Sequence, residues 1–486
     1  MRIVARALAQ APRTWLLALA LCGAAACSSA ESATESGTAD PDAGTSSRTD
    51  AGNVKTDGGA SPSDASAIDS AVDSGPPPVT DGVLVGGPGA LPGAIAGIDY
   101  VAGDQSGTTD ANGRFRFRAG DSITFRIAGV ELATLPAKAT MSPFSLAGGA
   151  CAVSDAVRRV LVTLETLDDD AKPETGIVIP KLTAPPGESR KLAQMSDGDV
   201  TTWLTALAPG HAKADADAAL TRFILQIDDE AWQKTDETTF DSVTSATRSQ
   251  GVAYDGTGYV FSWTLGLQRT DGALSTTVNK PASIPLDMLL AKSNHIGDVD
   301  VFGGTLYAPV EDGNGYQHPT IVLFDAKTLD PKGPRFEIST SYLTKGVPWV
   351  AVDGPRNVAY VAEWDPTPAI LVFDLATFTY QRSITLSKTL GRIQGGKVLD
   401  GTFYASSDDA DKTLYKIDLD TGIVLPPLFS YTAAVVKELE GFAVVPGQGT
   451  TPAELRVLGV DASSSSVTFR THTRTRAPLR NAICAP

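Results

Sequence analysis

Histidine and cysteine are scarce in these 486 residues, with four of each. His211, His295, His318 and His472 stand at no spacing that a metal site uses, and CxxC, HExxH and GxSxG are absent. The usual zinc, metalloprotease and serine-hydrolase signatures are therefore missing. Basic residues are also short, 40 against 56 acidic, for a formal net charge of −16. A chain without a positive footprint has nothing to neutralise phosphates, which excludes nucleic acid as a partner and docking on anionic lipid through protein charge. Beyond the first residues, no segment reaches the roughly 18 apolar residues of a membrane span. Apolar residues still make up 42%. That is enough to build cores, and the length implies two or three domains.

What is present begins with a short leader. Arg2, Arg6 and Arg13 precede the apolar stretch Trp15-Leu-Leu-Ala-Leu-Ala-Leu-Cys22, followed by Gly23-Ala-Ala-Ala26-Cys27. A positive start, a brief apolar middle and a small-residue end read as a secretory signal over residues 1–26. Two processing routes fit. Cleavage after Ala26 would give a secreted or periplasmic protein, and cleavage before Cys27 would leave that cysteine lipidated. A cysteine followed by a polar run resembles the layout of bacterial lipoproteins, although Ala24 stands where their box usually has Leu. Ser28 in place of Asp implies sorting to the outer membrane or cell surface, with the membrane as a partner through the lipid anchor. Residues 28–81 hold ten acids, two bases and no aromatic residue. Such a segment cannot bury enough surface to offset chain entropy and reads as a disordered acidic linker. Cys22 leaves with the signal. With Cys27 lipidated, Cys151 and Cys484 remain as an even pair for which a disulfide is expected; two buried free thiols are the alternative.

Residues 82–240 read as a first body. Gly97-Ile-Asp-Tyr-Val-Ala-Gly103, Gly113-Arg-Phe-Arg-Phe-Arg-Ala-Gly120 and Ser122-Ile-Thr-Phe-Arg-Ile127 alternate with period two between turn residues. Val153, Val157, Val160, Leu161, Leu164 and Leu167 recur at helical spacing behind a capping Ser154, and a second helix is expected around 214–229. The run from Gly107 to Ile127 resembles the small β-sandwich of carboxypeptidase regulatory and prealbumin-like domains. Met141-Ser-Pro-Phe-Ser-Leu146 and Thr175-Gly-Ile-Val-Ile179 resemble an N-terminal module of bacterial surface lipoproteins and adhesin-like proteins. The resemblance covers about 100 residues and implies a spacing module without chemistry.

The strongest signal is an internal repeat. Five segments open alike, and aligning Gly251, Gly297, Trp349, Gly395 and Gly441 gives spacings of 46, 52, 46 and 46. A second strand follows each opening, and three repeats then give nearly one phrase: Val322-Leu-Phe-Asp325, Leu371-Val-Phe-Asp374 and Leu414-Tyr-Lys-Ile-Asp418. This predicts a mainly β chain: a small β-sandwich-like module with flanking helices, then a β-propeller over 241–476 and a tail, 477–486. Five blades are expected, with a strand from about 240–247 completing the last; six would follow if 186–245 hid another. The phrases resemble bacterial surface propellers of the broad NHL and YVTN kind.

Gly391-Arg-Ile-Gln-Gly-Gly396-Lys397 resembles a P-loop, but Val398 replaces the required Ser/Thr and a strand follows in place of a helix, so it reads as chance. Asp168-Asp-Asp170 resembles the start of a calcium loop, but Lys172 and Ile179 stand where an EF-hand needs oxygen ligands, so it reads as an exposed turn. The propeller centre supplies the candidate ligand site. Gln250, Asp298, Trp349, Gln394 and Glu440 share opening positions, and Trp263, Glu311, Glu363 and Asp408 end second strands. Acids with Trp263, Trp349 and Trp364 suit a cation, a sugar or a cationic peptide. No catalytic residue is assigned, and no cofactor is expected beyond a divalent cation held in the propeller. The leading expectation is an envelope-anchored binding or scaffold module for a protein, glycan or small-molecule ligand. The rival is a propeller enzyme of cyclase, lactonase or lyase type, since Lys437-Glu-Leu-Glu440 resembles part of a cyclase motif.

Overall fold

The computed structural model describes residues 76–86, 93–173, 176–313 and 315–484, all within one compact unit, Asp73–Pro486. The leader, Cys27 and most of the acidic stretch lie outside the described residues. The chain is mainly β with several sheets.

The first body holds two small sheets over one core. In Arg114–Arg118 the two phenylalanines are buried and the arginines face outward. This strand pairs antiparallel with Val79–Leu84, which in turn lies parallel to Thr140–Met141. Regular structure thus begins inside the stretch 28–81 read as linker. The Val79–Val83 backbone supplies that ladder, and its sequence carries no apolar alternation that would reveal it. Gln105–Thr108, Asp99–Ala102, Ser122–Ile127 and Val130–Pro136 form the second sheet in that order. Leu84, Tyr100, Phe115, Phe125 and Ile127 meet between the sheets. Between strands, the Asp110 carboxylate accepts from the Asn112 and Arg114 N–H groups at 2.8 and 2.9 Å, closing the turn that the Asp-Ala-Asn-Gly run predicts.

Three helices of more than ten residues flank the sheets among the described residues: Asp155–Thr166, Asp197–Leu207 and Ala216–Ile227. Ser154 caps the first by accepting from the Val157 N–H at 3.4 Å. The third buries Leu220, Phe223, Ile224 and Ile227, while Leu225 faces outward.

Five sheets then follow one another among the described residues; four have four strands each, and the second has five because its inner strand is split in two. Their inner strands are Gly251–Tyr254, His295–Ile296 continued by Asp300–Phe302, Ala351–Asp353, Ile393–Leu399 and Val436–Val445. Each inner strand touches the next, and the last touches the first, so they close a ring. The fifth sheet runs Ala231–Thr239, Val467–Arg476, Glu454–Asp461, Val436–Val445. Its closing strand therefore lies at 231–239 and not at the expected 240–247. Asp241 instead caps a short helix, Ser242–Ala246, by accepting from the Thr244 N–H at 2.8 Å. The stretch 186–245 contributes helices and this one strand, and no sheet of its own.

The tail does not fray. It forms the helix Leu479–Cys484, and Cys484 is bonded to Cys151 with a Cα–Cα separation of 5.8 Å. Ile483 packs with Phe223 of the first body and with Ile423 in the connection that follows the strand Thr413–Asp418. Arg480 reaches Asp228 at 3.0 Å, Asp418 at 2.5 Å and Asp420 at 3.5 Å. Burial pushes the Asp228 carboxyl up to about 6, with Arg480 opposing it. Among the described residues no helix is long and apolar enough to cross a membrane, and the disulfide suits an oxidising compartment.

Candidate functional site

The inner strands begin, and the second strands end, at one mouth of the ring, as the pairs Gly251↔Ser262, His295↔Glu311 and Ile393↔Ser407 require. Antiparallel pairing therefore gathers Gln250, Trp263, Glu311, Glu363, Gln394, Asp408 and Glu440 at the same end.

Asp298 lies deeper and plugs the axis. It interrupts the inner strand of the second sheet and forms a parallel bridge to Trp349. Asp298 is 1% exposed. Oδ1 accepts from the Val252 N–H at 3.0 Å, and Oδ2 accepts from the Lys397 ammonium. A Cβ on Gly441 would stand 2.3 Å from Oδ1, and one on Gly395 would stand 2.6 Å from Oδ2. These aligned glycines leave room for one carboxylate. Burial pushes Asp298 upward in pKa and Lys397 pulls it back. Lys397 also donates to the Gly396 carbonyl at 3.1 Å and lies 5.4 Å from the centre of the Phe442 ring.

Around the mouth, most charged groups already have protein partners. The Glu311 carboxylate accepts from the Val347 N–H at 2.5 Å and meets His295 Nδ1 at 3.2 Å. His295 Nε2 meets Gln250 Oε1 at 2.6 Å. Glu363 accepts from the Thr344 hydroxyl at 2.7 Å. Asp408 accepts from Lys412 at 2.6 Å, from the Leu439 N–H at 3.0 Å and from Arg392. Arg392 itself lies over the Trp364 ring at 5.2 Å.

Glu440 differs. It is 3% exposed, and no described residue forms a hydrogen bond or ion pair with its carboxyl. Burial pushes it well above the usual carboxylate range, and the charges of Glu438, Asp408 and Asp298 push the same way. Half-buried Glu438 is raised too, by burial first and then by Asp408.

Two of the tryptophans do not gather with these acids, while Trp364 reaches Asp408 through Arg392. Trp349 is buried against Phe403 at 5.3 Å, and its indole N–H has no hydrogen-bond partner. Trp263 packs over Gly266 in its own hairpin, where an added Cβ would meet the ring at 2.2 Å. Gln394 is half-buried at its strand start. Among the described residues, the one group of three acid, histidine or cysteine side chains that brings ligand atoms within 4.8 Å of one another is Asp168, Asp169 and Asp170, outside the ring. The acids of the mouth form no such cluster.

Sequence reasoning missed Lys397, His295, Arg392, Lys412 and Glu438. A signal for the first existed. At the position two beyond each aligned residue stand Ala253, Val299, Ala351, Lys397 and Ala443; one beyond stand Val252, Asp298, Val350, Gly396 and Phe442. The single cation and the single anion of these two sets are partners across the axis.

No family model and no curated protein matches the chain. Several solved structures share part of its fold. Glutaminyl cyclase of Myxococcus xanthus is 13% identical with a TM-score of 0.35, covering 51% of this chain and 98% of its own. The tail fiber of Staphylococcus aureus phage P68 is 13% identical with a TM-score of 0.34, covering 52% of this chain and 55% of its own. Hydrazine synthase of Kuenenia stuttgartiensis is 13% identical with a TM-score of 0.28, covering 45% and 59%. At such scores they say nothing about what this chain binds or does.

Proposed function

We propose that the ring is a five-bladed β-propeller serving as a binding and scaffold module on a lipid-anchored envelope protein. In this reading its mouth, around Glu440, takes a cationic or hydrogen-bond-donating group of a protein, glycan or small molecule. The observation that carries the reading is the contrast between Glu440 and its surroundings. Glu311, Glu363, Asp408 and Asp298 are each held by protein donors, whereas Glu440 is buried without one. A buried carboxyl that lacks a partner costs stability and is retained most readily where a ligand supplies the missing donor. The enzyme reading has one observation in its favour: Glu438 and Glu440 are two raised carboxyls on one strand. Against it, both nitrogens of His295 are already engaged, which leaves no free imidazole to act as base.

A thermal-shift screen of the full chain against polyamines, cationic peptides and oligosaccharides tests the binding reading. Ligands that stabilise the wild type should lose that effect in Glu440→Gln. Turnover of lactone, ester or N-terminal glutamine substrates by the wild type would overturn it.

The same variant has an effect of its own. Because Glu440 is raised in the fold, the folded state binds its proton more tightly, and stability falls as pH rises above the ordinary glutamate value. Glu440→Gln should therefore gain about 1–3 kcal/mol at pH 8 and almost nothing at pH 5, measured by urea unfolding. Equal effects at both pH values would mean that the carboxyl is not buried in the way described.

Envelope anchoring has a separate test. Labelled palmitate should enter the wild type and not Cys27→Ser, and label persisting in that variant would remove the lipid anchor.

A further inference from the structure

One position of the ring breaks its own repeat. Two residues before the aligned Gly251, Gly297, Trp349, Gly395 and Gly441 stand Ser249, His295, Val347, Ile393 and Leu439. Three of these are buried aliphatic residues, and the second sheet of the ring has a histidine instead. Its imidazole stands between two side chains on a fixed frame. The Asn294 N–H donates to the Glu311 carbonyl at 2.9 Å, the Gln250 N–H to the Ser262 carbonyl at 3.1 Å, and the Gly441 N–H to the Gln250 carbonyl at 2.8 Å. Within that frame His295 Nε2 faces Gln250 Oε1 and Nδ1 faces Glu311 Oε1. The Gln250 amide is held in this sense, because its Nε2 donates to the Ser249 carbonyl at 3.1 Å. The other Glu311 oxygen takes the Val347 N–H. An amide oxygen and a carboxylate only accept, so both ring nitrogens donate, and a ring with two N–H groups is an imidazolium.

We propose that His295 is a proton-operated clasp at the mouth: its imidazolium form ties Gln250 of the first sheet to Glu311 of the second, and loss of one proton releases Gln250 beside Glu440. A neutral imidazole has one N–H and one bare nitrogen. It keeps Glu311 as its acceptor, and bare Nε2 then meets the Gln250 oxygen lone pair to lone pair, so the amide turns away. Among the described residues Glu311 is the one charged side chain bonded to the ring. Beyond it, Asp312 is held by the Tyr316 and Gln317 N–H groups at 2.6 and 2.9 Å. On the connection to the third sheet, Lys345 donates to the Asp365 carbonyl at 2.9 Å. On the Gln250 side stands Glu440, one residue before Gly441. Histidine is the side chain suited to a change of charge near neutral pH. For a cationic ligand at Glu440, which rests on the binding reading above, the sign follows. One positive charge leaves the mouth as pH rises, and such a ligand binds more tightly.

The test is nuclear magnetic resonance of the full chain labelled with nitrogen-15 in histidine alone. The chain has four histidines, and the signal lost in His295→Gln identifies the ring in question. At pH 6 both nitrogens of the His295 ring should be of the protonated type. At pH 9 one should be protonated and one bare. In urea unfolding, the deficit of His295→Gln against the wild type should be larger at pH 6 than at pH 9, because only the protonated ring makes both bonds. A ring already neutral at pH 6, or still doubly protonated at pH 9, would overturn the clasp; both are read on the wild type and do not depend on how the variant folds. The measurement needs no ligand, so a mouth that binds no cation would sink the binding reading and leave the clasp standing.

Discussion

Lys397→Met is expected to lower stability by about 3–5 kcal/mol, because it strands Asp298 in the axis of the ring without its counter-ion. Asp298 keeps the Val252 N–H, which is too little for a carboxylate enclosed by three other inner strands. The loss should shrink as pH falls. A carboxyl whose folded pKa is raised by burial can take up a proton, and that uptake stabilises the fold progressively below the raised value. Urea unfolding at pH 8 and pH 5 should therefore show the larger deficit at pH 8. The double variant Asp298→Asn with Lys397→Met removes both charges and should recover a good part of the loss. Unfolding midpoints of Lys397→Met that match the wild type at pH 8 would mean that the pair does not bear on folding.

Breaking the bond between Cys151 and Cys484 should have an effect of similar size. The two residues are separated by 333 positions in sequence. On the chain-entropy account, closing so long a loop contributes up to about 5 kcal/mol, and the loss of a native bridge typically costs about 2–5 kcal/mol. The first consequence should be local. Freed of its bridge, the helix Leu479–Cys484 keeps the packing of Leu479 and Ile483, the Arg480 ion pairs and the bond from Asn481 to Asp400 as anchors. As Arg480 withdraws, Asp228 and Asp418 are left as buried acids facing one another. Hydrogen exchange in Cys484→Ser, or in reduced wild type, should show this helix opening well before the sheets. Identical exchange and identical unfolding midpoints with and without reductant would show that packing alone fixes the tail.

The architecture was legible to very different degrees along the chain. The run Arg114-Phe-Arg-Phe-Arg118 alternates in sequence and alternates in burial, because one side of its sheet meets a core and the other meets water. The repeat was legible because four of the five sheets place a glycine where the inner strands converge, so Gly251, Gly297, Gly395 and Gly441 recur in step, with Trp349 the exception. Ala231–Thr239 was hidden for the opposite reason. It is an outermost strand whose Gln233, Lys234, Thr235 and Asp236 are exposed, and its place is set by backbone pairing to Val467–Arg476, which leaves no periodic mark. The same limit applied to the mouth. Spacing identified which residues share an end of the ring, but not which of them already had partners. Glu311 and Glu440 look alike in sequence; only the fold brings the Val347 N–H and His295 to the first and leaves the second without a donor.

The bridge from Cys151 to Cys484 also makes most of the chain a covalent circle. A protease that cuts once anywhere between those residues opens the circle without dividing the molecule. The fifth sheet adds a non-covalent closure, since it draws its strands from both ends of the ring. A single nick inside the circle would then leave both pieces joined, and a second cut within it would be needed to free a piece of the ring.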